Sequence, residues 1–158
     1  MAKKQSVGDQ PLVGFHFSVN FLFNTKNKTT ETGFKEIKGI ERTILYKPSV
    51  EGATSSDMLG VDKVQYGTLI LSRGVVTNSK IHEWYEKHIT TFKKYPIPIT
   101  INVLDSNHKP LYYYIFYDVY PIKMITSGFN AMKSELLIEE LHLVYSKYTQ
   151  STSGSFQK

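Results

Sequence analysis

The run Phe15-His16-Phe17-Ser18-Val19-Asn20-Phe21-Leu22-Phe23 constrains the fold more than any other stretch of this sequence. Phe15, Phe17, Val19, Phe21 and Phe23 alternate with His16, Ser18, Asn20 and Leu22 over nine positions. Successive side chains of a strand point to opposite faces, so this is the two-residue period of a strand with one face buried. On a helix, at about 100° per residue, the same rings would be scattered around the axis.

Further alternations follow. Phe34-Lys35-Glu36-Ile37-Lys38-Gly39-Ile40 reads as a second, shorter strand after the polar linker NTKNKTTETG. Tyr66 to Gly74 reads as another, and Ile97, Ile99, Ile101 and Val103 mark one more. The turn-forming DSNHKP then leads into Leu111–Tyr120, expected to return as the hairpin partner. Pro121 is expected to break that strand, with Ile122–Thr126 beginning again. One helix is expected over about 79–93, capped by Asn78 or Ser79, with Ile81, Trp84, Tyr85, His88, Ile89 and Phe92 on one face. Ser134–Tyr148 is divided: ELLIEEL favours helix by propensity, HLVYSKY favours strand. Eleven tyrosines and nine phenylalanines suit a pleated surface. The class is therefore mainly β: a sandwich or barrel of about six or seven strands with a helix against it.

The length of 158 residues fits one domain, with residues 11–148 as its body and 1–10 and 149–158 as tails, the latter flexible. Residues 47–62, KPSVEGATSSDMLGVD, are rich in Pro, Gly, Ser and Thr and read as a long excursion from the core. With no cysteine, disulfides are impossible and zinc would need His and carboxylate ligands. The start MAKKQSVGDQ lacks the apolar core of a signal peptide, and no apolar run reaches the ~20 residues of a membrane helix. The expectation is a soluble chain made in the cytoplasm without the usual export signal and without insertion in a membrane. The net charge of +5 comes from scattered lysines and only two arginines, Arg42 and Arg73, which reads as a solvated surface rather than a specific nucleic-acid site.

HEWYEKH is the richest cluster of ionisable side chains, with His82 and His88 six apart. On a helix that spacing leaves them about 120° apart, so they cannot share one ion as residues four apart could. His88 falls on the apolar face; His82, Glu83, Glu86 and Lys87 fall off it and read as solvated. His16, His108 and His142 show no ligand spacing, and Asp105 and Asp118 read as ordinary turn residues. No nucleophile elbow or phosphate loop is present. Tyr112-Tyr113-Tyr114 could stack bases, but alternation sends Tyr113 to the face opposite its neighbours. No enzymatic signal survives, and no cofactor is implied.

The order of the pieces is more specific than any one of them. The segment Leu69-x-Leu71-x-Arg73-Gly74 with Trp84 follows Gly33-Phe34 with Ile37-x-Gly39-Ile40. A third runs from Pro121 through Lys123 to Ser127-Gly128-Phe129-Asn130-Ala131. In this order, over about residues 11–148, the chain resembles the inner-tube proteins of contractile injection systems, relatives of phage tail tubes. The resemblance implies two packed antiparallel sheets rolled barrel-like with the helix outside, and it settles the C-terminal element as strand. It implies rings of six identical subunits stacked into a tube, with a sheath protein, a baseplate hub and spike, a tube initiator and cargo in the lumen as partners. It also implies that the 47–62 excursion is an arm reaching the next ring, with Lys47, Pro48, Ser49, Val50, Glu51, Gly52, Met58 and Leu59 at the contact. The particle would be assembled in the cytoplasm and then released or anchored to the cell.

Other readings stay open on the sequence alone. A tube-initiator paralogue at the baseplate would share the fold. A monomeric β-barrel binding nucleic acid or another polymer would use the tyrosines and lysines, and a His-based metalloenzyme would bring distant histidines together.

Overall fold

The computed structural model describes residues 16–24, 27–31, 33–48 and 59–152. Among these the chain forms ten strands and one helix. β1 (Phe17–Asn24) carries the opening alternation, and its ladder partner β7 (Ile97–Leu104) carries the isoleucine one. Their registers bring matching faces together: Val19 opposes Ile101 and Phe21 opposes Ile99, all four buried. Each such side chain removed from water contributes roughly 1.5–3 kcal/mol, so a one-residue slip would expose the whole set.

The linker expected after Asn24 is instead β2 (Asn27–Glu31), which turns back on β1. β3 (Phe34–Lys38) pairs with β6 (Leu69–Gly74), and β6 pairs with β9 (Ile138–Val144). The chain between β3 and β6 forms its own two-stranded ladder of β4 (Arg42–Pro48) and β5 (Leu59–Tyr66). β8 (Pro110–Thr126) follows β7, and β10 (Lys147–Thr152) closes the described chain. Every pairing is antiparallel, in the order β2-β1-β7-β8-β9-β6-β3, with β10 on β8.

β8 is where the structure turns. It runs unbroken through Pro121, contrary to the sequence expectation. Pro121 sits beside an irregularity in the β8–β9 ladder, a position where the missing N–H is tolerated. The first half of β8 pairs with β7 and β10; the second half pairs with β9. β9 and β10 follow one another along the same edge, Val144 opposite Tyr120 and Lys147 opposite Tyr117. At the corner between them Asp118 adopts a φ of 52°, and Ser146 Oγ donates to its Oδ2 at 2.7 Å. A strand pair that bends in this way carries one sheet over another, so the ladder packs on itself as a sandwich and is not closed into a barrel.

This corner corrects two further expectations. Residues 149–152, read as the start of a flexible tail, belong to β10, while 153–158 lie outside the described residues. Of the ELLIEEL stretch, Ile138–Leu141 are strand in β9 and residues 135–137 belong to the connection before it; along β9, Glu139, Leu141 and Leu143 all face inward. Tertiary burial outweighs helix propensity there.

The helix α1 (Lys80–Thr91) begins at Ser79, whose Oγ accepts from the Ile81 N–H. Ile81 and Trp84 are buried, and Trp84 meets Phe21 and Phe23 edge-on at 6.2 and 5.9 Å. The expected stripe fades toward the C-terminus: Ile89 and Phe92 are exposed. His88 is a structural residue, accepting from the Tyr95 N–H at Nε2 and reaching the Trp84 carbonyl from Nδ1 at 2.8 Å. A second aromatic group, Phe116, Tyr145 and Tyr148, fills the core at the β8 corner. Tyr114 joins it, with Tyr112 against its ring, as the alternation argument requires.

Candidate assembly interface

The residues of the recurring motifs split into those that build the subunit and those that leave it. Leu69, Leu71, Arg73 and Trp84 are core. Arg73 is 1% exposed, and its guanidinium binds Glu139 Oε1 from Nε and Ser79 Oγ from Nη2 at 2.7 Å, over the Phe34 ring. His82 Nε2 meets the other Glu139 oxygen at 2.6 Å. His82 therefore does not stand on a solvated face; it ties the helix to β9. Glu139 gives no sequence signal while its segment, ELLIEEL, is read by its helix propensity. Read as a strand, Glu139 aligns with Leu141, Leu143 and Tyr145, and a carboxylate in that row signals a buried partner.

Gly39 is needed for shape. Its φ is +80°, and a Cβ there would come within 1.8 Å of the Thr68 carbonyl oxygen. Gly33 also has a positive φ, +92°, in open space. Gly74 meets nothing within 4 Å and has no left-handed φ, so the subunit's own packing does not explain it. Pro121 is buried, whereas Lys123 is exposed.

Past the Gly39 contact the β3–β6 ladder continues outward. The Gly67 N–H donates to the Glu41 carbonyl at 3.1 Å, and Arg42 then pairs with Tyr66, in step with Lys38 opposite Ile70. β4 and β5 are thus a projecting ribbon of seven paired positions. At about 3.3 Å per residue it reaches roughly 20 Å from the body. The excursion expected at 47–62 is in part this ribbon: Lys47 and Pro48 are its last β4 residues and Leu59 its first β5 residue. Ser49, Val50, Glu51, Gly52 and Met58 lie outside the described residues.

One ribbon face is apolar and uncovered. Ile44 opposes Val64 and Tyr46 opposes Val61, with exposures of 48, 43, 57 and 61%. A two-stranded ribbon is marginal in water on its own, and the Lys47–Asp62 ion pair at 3.1 Å is too exposed to add much. At its base the ribbon packs on the subunit, Tyr66 meeting the Tyr145 and Tyr148 rings at 5.6 and 5.9 Å. Sheet edges are also available: among the described residues β2, β3 and β10 each have a ladder neighbour on one side only. Unpaired edges invite pairing with another chain.

The arrangement offers little chemistry. The His16 and His108 rings meet at 5.0 Å, tilted by 52°, while His82, His88 and His142 are engaged elsewhere. Among the described residues no three His, Asp or Glu side chains gather as metal ligands, and no helix is long and apolar enough to cross a membrane. Asp105 is a turn residue, its Oδ1 accepting from the N–H groups of Asn107 and Lys109.

Known proteins give this geometry a context. A chain of the anti-feeding prophage baseplate superposes with a TM-score of 0.79 at 24% identity, over 90% of this chain and 97% of that one. A chain of the sheath–tube complex of an extracellular contractile injection system, PVC, does so with a TM-score of 0.72 at 14% identity, over 96% and 99%. Hcp1 from Flavobacterium johnsoniae gives a TM-score of 0.52 at 11% identity, over 87% and 95%. These likenesses establish the fold. Among individually curated proteins the sequence finds no significant match. The family model described as "T4-like virus tail tube protein gp19" matches residues 13–149, nearly the full length, and the chain belongs to this family of structural tail tube proteins.

Proposed function

We propose that the chain is the repeating subunit of the inner tube of a contractile, phage-tail-like injection particle. Six copies form a ring through their sheet edges, and rings stack through the projecting ribbon into a hollow tube. A surrounding sheath drives the tube, with its spike and cargo, through a target membrane. The work is mechanical, and no residue turns over a substrate.

The observation that carries this reading is the β4–β5 ribbon, a long arm with an uncovered apolar face that a monomer has no use for. Closed rings satisfy exposed edges, and head-to-tail contacts with a fixed rotation extend them into filaments. Sedimentation of the concentrated 18.1 kDa chain tests it. The reading expects a species of six chains and heavier stacks; a single monomer boundary at every concentration, with baseplate components added, contradicts it.

A second reading, a tube initiator seated at the baseplate, is favoured by the likeness to a chain of the anti-feeding prophage baseplate. It expects rings that bind a baseplate but do not polymerise, a difference visible in the same sedimentation profile.

A further inference from the structure

The subunit carries a second uncovered apolar surface, at the end opposite the ribbon. The ribbon leaves β6 at its Leu69 end. The connection between β8 and β9, residues 127–137, lies at the Gly74 end, where Gly74 opposes Ile138 and the Val75 N–H donates to Leu137 O at 2.9 Å. This connection is a built turn: the Ser127 N–H donates to the Ile138 carbonyl at 2.8 Å, and the Ile138 N–H returns to Ser127 Oγ at 3.0 Å. Yet it holds Phe129, Met132 and Leu136 outward, at 87, 93 and 84% exposure. Val75 and Val76, which follow Gly74 at the same end, are also exposed.

We infer that this Ser127–Leu137 turn is the receptor for the β4–β5 ribbon of a second copy of the chain, ribbon face against turn. The inference rests on the stacked-ring reading and names the surface through which stacking occurs. Subunits repeated along an axis must join a surface at one end to a different surface at the other. Along β6 the chain presents one uncovered apolar surface at each end. The areas agree with a contact that needs repetition. One ring and two aliphatic side chains, Phe129, Met132 and Leu136, offer well under the ~800 Å² per partner of a stable pairwise interface. One such contact therefore gives no lasting dimer, whereas six made at once between two rings hold.

The chain has no cysteine, so the pairing can be tested by introduced thiols. The double variant Tyr46→Cys/Met132→Cys and each single variant are assembled and treated with a short bismaleimide. The expected result is a ladder of covalent multimers from the double variant and none from either single one. Intact tubes that give no ladder overturn the inference and assign the turn to another partner, such as the sheath. Independently, Phe129→Glu/Leu136→Glu alters only exposed side chains; rings that no longer stack are expected, and normal tubes from this variant overturn the inference. Wild-type protein that forms neither rings nor tubes contradicts the underlying tube reading, and this inference with it.

Discussion

Arg73 and Glu139, distant in sequence, meet as a buried ion pair with side chains 2% and 6% exposed. The pair joins β6 to β9, and through Ser79 and His82 it also fixes where the helix begins and how it lies. A charge pair this deep helps only while both members are present. Arg73→Met alone should cost about 3–5 kcal/mol, because the buried Glu139 loses its guanidinium partner and keeps only the His82 contact, whereas Arg73→Met/Glu139→Leu should fall close to the wild type. Urea unfolding of the four corners of this cycle measures the coupling.

The two motif glycines with a positive φ, Gly33 and Gly39, should respond differently. Gly39→Ala forces a Cβ against the Thr68 carbonyl and an unfavourable φ, for a loss of more than about 2 kcal/mol and a disturbed ribbon. Gly33→Ala meets no atom and bears only the backbone term, about 1 kcal/mol. Equal losses in thermal unfolding would contradict the close contact at Gly39.

The ribbon face should matter to assembly and not to the subunit. Ile44→Lys/Val61→Lys changes two exposed positions, so monomer stability should move by no more than ~0.5 kcal/mol. Electron micrographs should then show rings without stacks. A large drop in the stability of the isolated subunit would mean that the ribbon packs on its own body.

Phe92 ends the helix with a left-handed φ of 54° while its side chain is 94% exposed. Phe92→Gly should therefore stabilise the monomer by about 1 kcal/mol, since glycine adopts this conformation without penalty. A gain in stability with a loss of tube formation would mark Phe92 as an assembly contact.

Burial raises the pKa of Tyr114 and Tyr145 above the usual 10.0, with neighbouring tyrosines adding to it. The folded state thus holds these protons more tightly than the unfolded chain. Stability is unaffected by them below pH 10 and falls as pH rises above it and through their raised values. An alkaline titration followed by phenolate absorbance should show tyrosines that ionise late, together with the onset of unfolding. If all tyrosines ionise together while the fold persists, the burial argument fails.

The sequence made some of this legible. The alternations of β1 and β7 and the stripe Ile81–Trp84 are local signals, and they mark elements whose burial follows from their own pattern. The excursion at 47–62 covers only the distal part of the ribbon, and its strands are not legible, because the apolar residues of β4, Ile44-Leu45-Tyr46, run together and a register shift across from Leu45 and Tyr46 breaks the two-residue period on β5. The contact of Glu139 with His82 is illegible for a related reason. It is a pairing across 57 residues that no local window contains. The corner likewise joins Asp118 of β8 to Ser146, between β9 and β10, residues 28 apart that no local window relates.

Negative-stain electron microscopy of the purified chain over a concentration series, with and without baseplate components, tests the central claim most directly. The account predicts rings of six-fold symmetry and stacked tubes of uniform bore. Dispersed particles of monomer size under both conditions would contradict it.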